Sequence, residues 1–172
     1  VMVIKLKKIM ITGAYGQVGF CLTQQAQVNG WDVLAIDRDK LDITDPQAVN
    51  ALVNEYQPDV IINAAAHTAV DKAETEIDAS YAINRDGPKY LAEAAASVGA
   101  AILHISTDYV FAGDKDGIYS EADQVAPQGI YGASKLAGEE AVIAANPKHV
   151  ILRTAWVFGE HGNNFVKTML RL

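Results

Sequence analysis

Cysteine is almost missing. Cys21 is the single one in 172 residues, which excludes an internal disulfide and a zinc site built on paired cysteines. Long apolar runs are missing too: none reaches the ~20 residues that cross a bilayer. The opening VMVIKLKKIMI is short, interrupted by lysines and without a small-residue cleavage site, unlike a signal peptide. Cationic excess is also absent. Lys and Arg total 14 against 21 Asp and Glu, for a net charge of -7. Nucleic acid needs a clustered cationic surface, so neither a nucleic-acid polymer nor a membrane is expected as partner. No internal repeat or low-complexity linker breaks the chain. One cytoplasmic globular domain over residues 1–172 is expected, long enough for a single buried core.

What is present is alternation. KKIMITG, WDVLAID, DVIINAAA, AAILHIS and HVILRTAWVF read as five strands, each a continuous run rich in Val, Ile and Leu. Such runs predict burial on both faces. Helices are predicted over about residues 17–29, after Asp45 as N-cap with Pro46 in the first turn, over about 77–98, and over about 131–145. Pro88 should kink or divide the third. Repeated β-α units give an α/β fold of three layers, a parallel sheet with helices on both sides. Ligands in such sheets lie beyond the C-terminal strand ends. FAGDKDGIYSEADQVAPQG reads as a surface loop. NNFVKTMLRL has helical spacing at Phe165, Met169 and Leu172 but no C-cap glycine and no following strand, so the chain is expected to be interrupted there.

Three stretches carry chemistry. TGAYGQVG sets Gly13, Gly16 and Gly19 directly after the first strand. Glycines there permit a tight turn and close approach of backbone to a pyrophosphate, which the following helix N-terminus attracts. An ordinary strand-to-helix turn is the plainer alternative. Asp37 ends the second strand, where a dinucleotide fold places an acid for the adenosine ribose hydroxyls. Arg38 follows and suits a 2'-phosphate, so NAD and NADP both remain open. YGASK puts Tyr131 and Lys135 on one side of a helix. A free phenol (pKa ~10) is a poor proton donor unless tuned, and a nearby ammonium lowers that value. HISTDYVFAG gathers Ser106, Thr107, Asp108 and Tyr109 where a strand stops.

A glycine turn, a strand-ending Ser/Thr and a later Y-x-x-x-K, in that order, resemble the extended short-chain dehydrogenase/reductase family over essentially the whole chain. NAAAHTAVDKAE, HISTDYVF, YGASKLAGE and LRTAWVFGEHGNNFVKTMLRL are similar in particular to its dTDP-4-dehydrorhamnose reductase branch. The resemblance implies a Rossmann-like doubly wound sheet, NADPH or NADH as cofactor, and a dTDP-sugar substrate. The implied reaction reduces the C4 ketone of dTDP-4-dehydro-L-rhamnose, in cell-surface polysaccharide biosynthesis. By that resemblance Thr107 would bond the ketone, Tyr131 would donate the proton, and Lys135 would hold the nicotinamide ribose while tuning Tyr131. Gly13, Gly16, Gln17 and Val18 would approach the pyrophosphate, and Asp37 the adenosine ribose. Asp42 and Ile43 would flank adenine, with Ala64, Ala65 and Ala66 along the cofactor. Thr68, Val70 and Trp156 would contact the sugar or line its entrance, although Trp156 also reads as a core aromatic.

The family's small substrate-binding domain is expected to be missing from this chain. A homodimer is among the implied partners. Bacterial members use acids for magnesium at a dimer interface, and Cys21 stands where one such acid is expected. A thiol is a poor ligand for a hard cation, so no metal is expected. Related nucleotide-sugar dehydratases carry an acidic pair after the threonine. Here Asp108 is followed by Tyr109, which favours reduction over elimination and leaves Asp108 a capping role. Two rivals remain: a cofactor-binding regulatory subunit similar to that of methionine adenosyltransferase, and a nucleotide-sugar epimerase. His67 reads equally as substrate-facing or as pocket wall. Asn84 reads more readily as an ordinary helix residue than as a backbone clamp, and HGNNF suits a turn and helix cap as well as substrate contacts.

Overall fold

The computed structural model describes residues 7–172. The part of the signal-peptide reading that falls on residues 1–6 lies outside the described residues. Strands β1 (Lys8–Thr12), β2 (Asp32–Ile36), β3 (Val60–Asn63), β4 (Ala101–Thr107) and β5 (His149–Thr154) form one parallel sheet in the order β2-β1-β3-β4-β5. Its helices are α1 (Gln17–Val28), α2 (Pro46–Tyr56), α3 (Val70–Ala73), α4 (Ile77–Tyr81), α5 (Gly87–Ser97), α6 (Ile130–Ala145) and α7 (Phe165–Met169). α1 packs on β1 and β2, α5 on β3 and β4, and α6 on β4 and β5, with α5 touching both α2 and α6. Right-handed crossovers put the β1-to-β2 connection on one face and the later ones on the other. This is the three-layer, Rossmann-like arrangement expected. The strand order changes direction between β1 and β3, where such sheets open a crevice.

The core sits under the middle strands. Met10, Ile61 and Ile102 lie in one register row and pack with Val49, Val53, Leu91 and Val142 from the helices, all buried. Each such side chain contributes roughly 1.5–3 kcal/mol. α2 starts as predicted, with Asp45 Oδ1 accepting from the amides of Gln47 (2.9 Å) and Ala48 (3.1 Å) and Pro46 in the first turn.

Burial on both faces fails for β5. Val150 and Leu152 are about half exposed (57% and 48%). β5 is the outer strand, and its burial alternates with the pleat. Two strands are also shorter than their apolar runs. Ala64, Ala65 and Ala66 leave the sheet after Asn63, whose side chain accepts the Ala65 amide (3.1 Å). Residues 155–158 leave it after Thr154.

The region 77–98 is divided, as Pro88 required. α4 runs into a π-helical turn, Ala82–Asp86, in which the Gly87 amide reaches back to the Ala82 carbonyl. α5 then begins with Pro88 in its first turn. Pro88 has no N–H to offer the Asn84 carbonyl one turn earlier. That oxygen instead packs against the bare α-carbon of Gly138 on α6.

Gly138→Ala tests this contact. The new Cβ would lie 2.0 Å from the Asn84 carbonyl oxygen, which is backbone and cannot swing aside. Overpacking costs roughly 1–3 kcal/mol and outweighs the ~1 kcal/mol that alanine gains in a helix. Thermal unfolding should therefore show a lower Tm for Gly138→Ala and an unchanged one for Gly159→Ala, where nothing lies within 4 Å. Equal Tm values for the two would remove the contact from the account.

Candidate active site

The glycine turn is built by backbone lying on backbone. Gly13 is left-handed (φ +67°), and a Cβ there would be 2.6 Å from the Ala65 amide nitrogen. The turn can therefore rest directly on the exit of β3. A Cβ at Gly19 would be 2.1 Å from the Gly13 carbonyl oxygen, so α1 in turn rests on the turn. Gly16 caps α1 without a side chain, leaving its first amides without a side-chain acceptor. They border a cleft of about 930 Å³ at the C-terminal strand ends, the size of small-molecule sites.

The residues expected to serve cofactor, substrate and proton transfer all line this one cleft; Gly19, Cys21 and Asn84 are not part of its lining. Gly13, Gly16, Gln17, Val18, Asp37, Arg38, Asp42 and Ile43 occupy one end. Ala64, Ala65 and Ala66 form the middle, and Thr68, Val70, Thr107, Tyr131, Lys135 and Trp156 the other end. Asp37 accepts from the Tyr15 amide (2.9 Å) and the Arg38 amide (2.7 Å), so its carboxylate is fixed at the end of β2. Arg38 is exposed beside it. Asp42 accepts from the Thr44 hydroxyl (2.7 Å) and amide (2.9 Å), which hold its carboxyl below the usual range. Ile43 is buried against Gly87. Thr68 is exposed, and Trp156 follows β5 as a residue 75% exposed, which corrects the core-aromatic alternative.

At the far end, Thr107 donates to Asp108 Oδ1 (3.1 Å) and accepts from the Tyr109 amide (3.2 Å). The Tyr109 ring meets Tyr131 edge-on at 5.4 Å. Burial pushes the Tyr131 phenol up; the Thr107 hydroxyl works against that, and Asp108 and Tyr109 add to it. The expected acidification by Lys135 is therefore not what this geometry gives. Lys135 Nζ donates to the Ile105 carbonyl (2.7 Å) and is itself buried. Loss of solvation lowers it to about 8, with Glu139 opposing. Helical spacing put the two side chains on one face but did not say where the ammonium ends.

Four side chains hold this end together, and only for Asn84 did the sequence offer a clamping role. Asn84, in the π turn, clamps the backbone of His67, accepting its amide (2.8 Å) and donating to its carbonyl (3.1 Å). Its Nδ2 also donates to Ser134 on α6 (3.0 Å). The clamp reading of Asn84 holds over the plainer one. Glu74, at the end of α3, accepts the Ile130 amide (2.8 Å) and so caps α6 from 56 residues away. Glu139, buried, accepts from Ser106 (2.5 Å) and is gripped by Arg153 through Nε (2.9 Å) and Nη2 (2.6 Å). His67 is fixed by Glu76 (2.9 Å) and Ser80 (3.3 Å) as part of the wall. A carboxylate on the buried face of α6 was the one available sequence signal, at Glu139.

Among the described residues no three His, Cys, Asp or Glu side chains gather to hold a metal ion, and Cys21 is an exposed free thiol on α1. No described helix is long and apolar enough to cross a membrane.

The architecture recurs in known proteins. A dTDP-4-dehydrorhamnose reductase from Aggregatibacter actinomycetemcomitans is 51% identical over 168 residues, which is 97% of this chain and 57% of that protein. The crystal structure of a dTDP-4-dehydrorhamnose reductase from Clostridium acetobutylicum superposes with a TM-score of 0.93 at 54% identity, covering 95% of this chain and 58% of that one. One from Bacillus anthracis, in complex with NADP, gives 0.94 at 46% identity, covering 97% and 59%. The chain thus spans a little over half the length of these relatives. The family described as the RmlD substrate binding domain matches residues 7–172, and the chain belongs to it.

Proposed function

We propose that residues 1–172 are the NAD(P)-binding domain of an enzyme that reduces the C4 ketone of dTDP-4-dehydro-L-rhamnose to dTDP-L-rhamnose. The observation that carries the reading is convergence: Thr107, Tyr131 and Lys135 meet at one end of the cleft that the glycine turn opens. A dinucleotide suits that turn, because Gly16 gives the first amides of α1 no side-chain cap and any Cβ at Gly13 would meet backbone. NADPH or NADH, when bound, supplies the hydride. Asp37 faces the ribose hydroxyls and Arg38 a 2'-phosphate, so the site accepts either form. The B. anthracis relative was crystallised with NADP, and the reductase name of the relatives supports the substrate.

The residues divide the remaining work. The Thr107 hydroxyl polarises the ketone oxygen. Tyr131, kept protonated by its burial, gives its phenolic proton to that oxygen as charge develops. Lys135 gives one N–H to Ile105, and its remaining donors hold the ribose hydroxyls. Elimination lacks a base: Asp108 is engaged by Thr107, and the next side chain is the phenol of Tyr109. The same reading takes a dTDP-sugar as ligand, a homodimer as assembly and the cytoplasm as setting. Its single thiol, free and exposed, suits a reducing compartment.

Replacing Tyr131 by Phe should cut dTDP-sugar-dependent NAD(P)H oxidation about 10²–10⁴-fold, the usual worth of a positioned acid. Dinucleotide affinity by calorimetry should stay nearly unchanged. Full turnover in the variant would remove Tyr131 as the acid, and turnover without net NAD(P)H consumption would indicate an epimerase.

Lys135 gives a pH test. Its folded value of about 8 lies below the ordinary 10.5, so the unfolded chain binds more protons between those values. Burial of the ammonium costs stability in full below pH 8, and the loss is relieved as pH rises to 10.5. The difference corresponds to roughly 3 kcal/mol. Denaturant unfolding of the protein and of Lys135→Met should show wild type gaining about that much on the variant across the window. A gap that ignores pH would contradict the buried charge.

A further inference from the structure

The first residue of α1 uses its side chain on the far end of the chain. Gln17 Nε2 donates to the Val157 carbonyl (2.9 Å), and Gln17 Oε1 accepts from Asn164 Nδ2 (2.8 Å). Asn164 also donates to the Gly159 carbonyl (2.9 Å), and its oxygen accepts the Lys167 amide (3.0 Å), capping α7. Gly162 is left-handed (φ +73°) and rests on Gln17, where a Cβ would lie 3.1 Å from the Gln17 Cβ. Phe20, three residues further along α1, meets the His161 ring at 3.9 Å. Residues 157–164 are thus moulded over the first turn of α1. The sequence reading brings Gln17 to the pyrophosphate, and its carboxamide is committed to this segment.

Trp156 stands at the head of this segment, and its backbone is left-handed (φ +51°), a conformation that costs a bulky residue. Such strain persists only where the surroundings over-determine it. Two contacts do so. The carbonyl of the next residue, Val157, is tied to Gln17, and the indole meets Phe165 edge-on at 5.1 Å, on the helix that Asn164 caps. Both lead back to the Gln17 carboxamide.

We infer that Gln17 is a positioning residue for Trp156: its amide locks the segment after β5 onto the phosphate-facing turn, so that the indole stands at the sugar end of the cleft. The inference rests on the reductase reading, in which Trp156 faces the sugar. The lock needs one donor and one acceptor at once, which an amide supplies and an ionised carboxylate or an alkyl group does not. Because Gly16 and Gln17 are adjacent, the turn that receives the dinucleotide also fixes the wall that receives the sugar.

The test uses the full chain with Trp31→Phe, which leaves Trp156 as the sole indole, since the sequence has two. Gln17→Ala breaks both bonds. Asn164→Asp keeps the acceptor that caps α7 but loses the donor to Gln17, and it lies away from the turn. Each should raise acrylamide quenching of Trp156. Each should also raise KM for the dTDP-sugar about 10-fold, the order of a lost hydrogen bond or two, with a smaller effect on kcat and on NADPH affinity. The double variant should be no worse than Gln17→Ala, because both act on one path. Unchanged quenching in both variants overturns the inference. So does a Gln17→Ala variant that loses NADPH affinity while its sugar KM stays fixed, which returns the side chain to the pyrophosphate. If the parent turns over no dTDP-sugar, the reductase reading falls, and the quenching result alone still upholds or overturns the lock.

Discussion

Helix α6 is pressed against two backbone carbonyls, and the rest of the site follows from that approach. A Cβ at Gly132 would be 2.2 Å from the Tyr109 oxygen, and one at Gly138 would be 2.0 Å from the Asn84 oxygen. Tyr131 precedes the first contact, and Lys135 lies midway between them. With no side chain at either point, α6 comes close enough to the end of β4 for Lys135 to reach the Ile105 carbonyl and for Tyr131 to face Thr107. The polar clamps then fix rotation and register. Glu74 holds the first turn, Asn84 holds Ser134, and Glu139 holds Ser106 and Arg153. A hydrogen bond adds about 1 kcal/mol when made and loses about 1–3 kcal/mol when a buried partner is left alone. These contacts therefore specify one arrangement more than they stabilise the fold.

Beneath the cleft the polar groups are mostly neutral, and that neutrality sets the electrostatics. Thr12 donates to Asn63 (2.6 Å), and Asn63 donates to Nδ1 of His104 (3.0 Å), across three strands in register. Burial, with Lys135 nearby, keeps His104 well below its ordinary value and so uncharged. Its Nε2 then carries the proton, buried and without an acceptor among the described residues, on the side facing Gly138. Among the described residues the buried charges are Lys135, Glu139 and the adjoining Arg153, a sum of one positive charge beneath the cleft. An anionic occupant, or an oxygen gaining charge, is favoured there more than in water. The same attraction would restore the ammonium that burial weakens.

Legibility in the sequence followed the range of the contacts. The five strands, the Asp45–Pro46 start of α2, the break at Pro88 and the glycine turn are announced by residues within a few positions, and all were readable. Tyr131 and Lys135 were found for the same reason. What spacing could not give was reach: it placed the ammonium on the right face but not on Ile105, and so misjudged its effect on the phenol. The π turn was hidden because Pro88 announces a break but not the extra residue ahead of it, which is matched to Gly138 about 50 positions on. The capping role of Glu74 and the tie from Gln17 to the segment after β5 gave no local signal. Their partners lie 56 and 140 or more residues away. β5 was misread because an apolar run reports composition, whereas exposure depends on its place at the edge of the sheet.

The two ends of the cleft are built by different means, and this bears on how each can change. At the glycine-turn end, Gly13 lies on Ala64 and Ala65, and Gly19 lies on Gly13, so any added side chain meets main chain that cannot rotate away. At the Tyr131 end the segment after β5 and the loop after β4 are joined by side chains. Gln17 and Asn164 carry the Trp156 segment. Tyr119 receives the amides of Gly113 (3.0 Å) and Lys115 (3.1 Å) and stacks on Phe111 at 4.4 Å, while the Arg153 guanidinium lies 5.0 Å from the Phe111 ring centroid. Arg153 thus joins that loop to Glu139, and through it to the helix of Tyr131 and Lys135. A side-chain joint can be exchanged for another of similar volume and polarity, whereas a backbone contact admits only glycine. The glycine-turn end is consequently rigid by construction, whereas the Trp156 segment and the loop around Tyr119 can be refitted while α6 stays where it is.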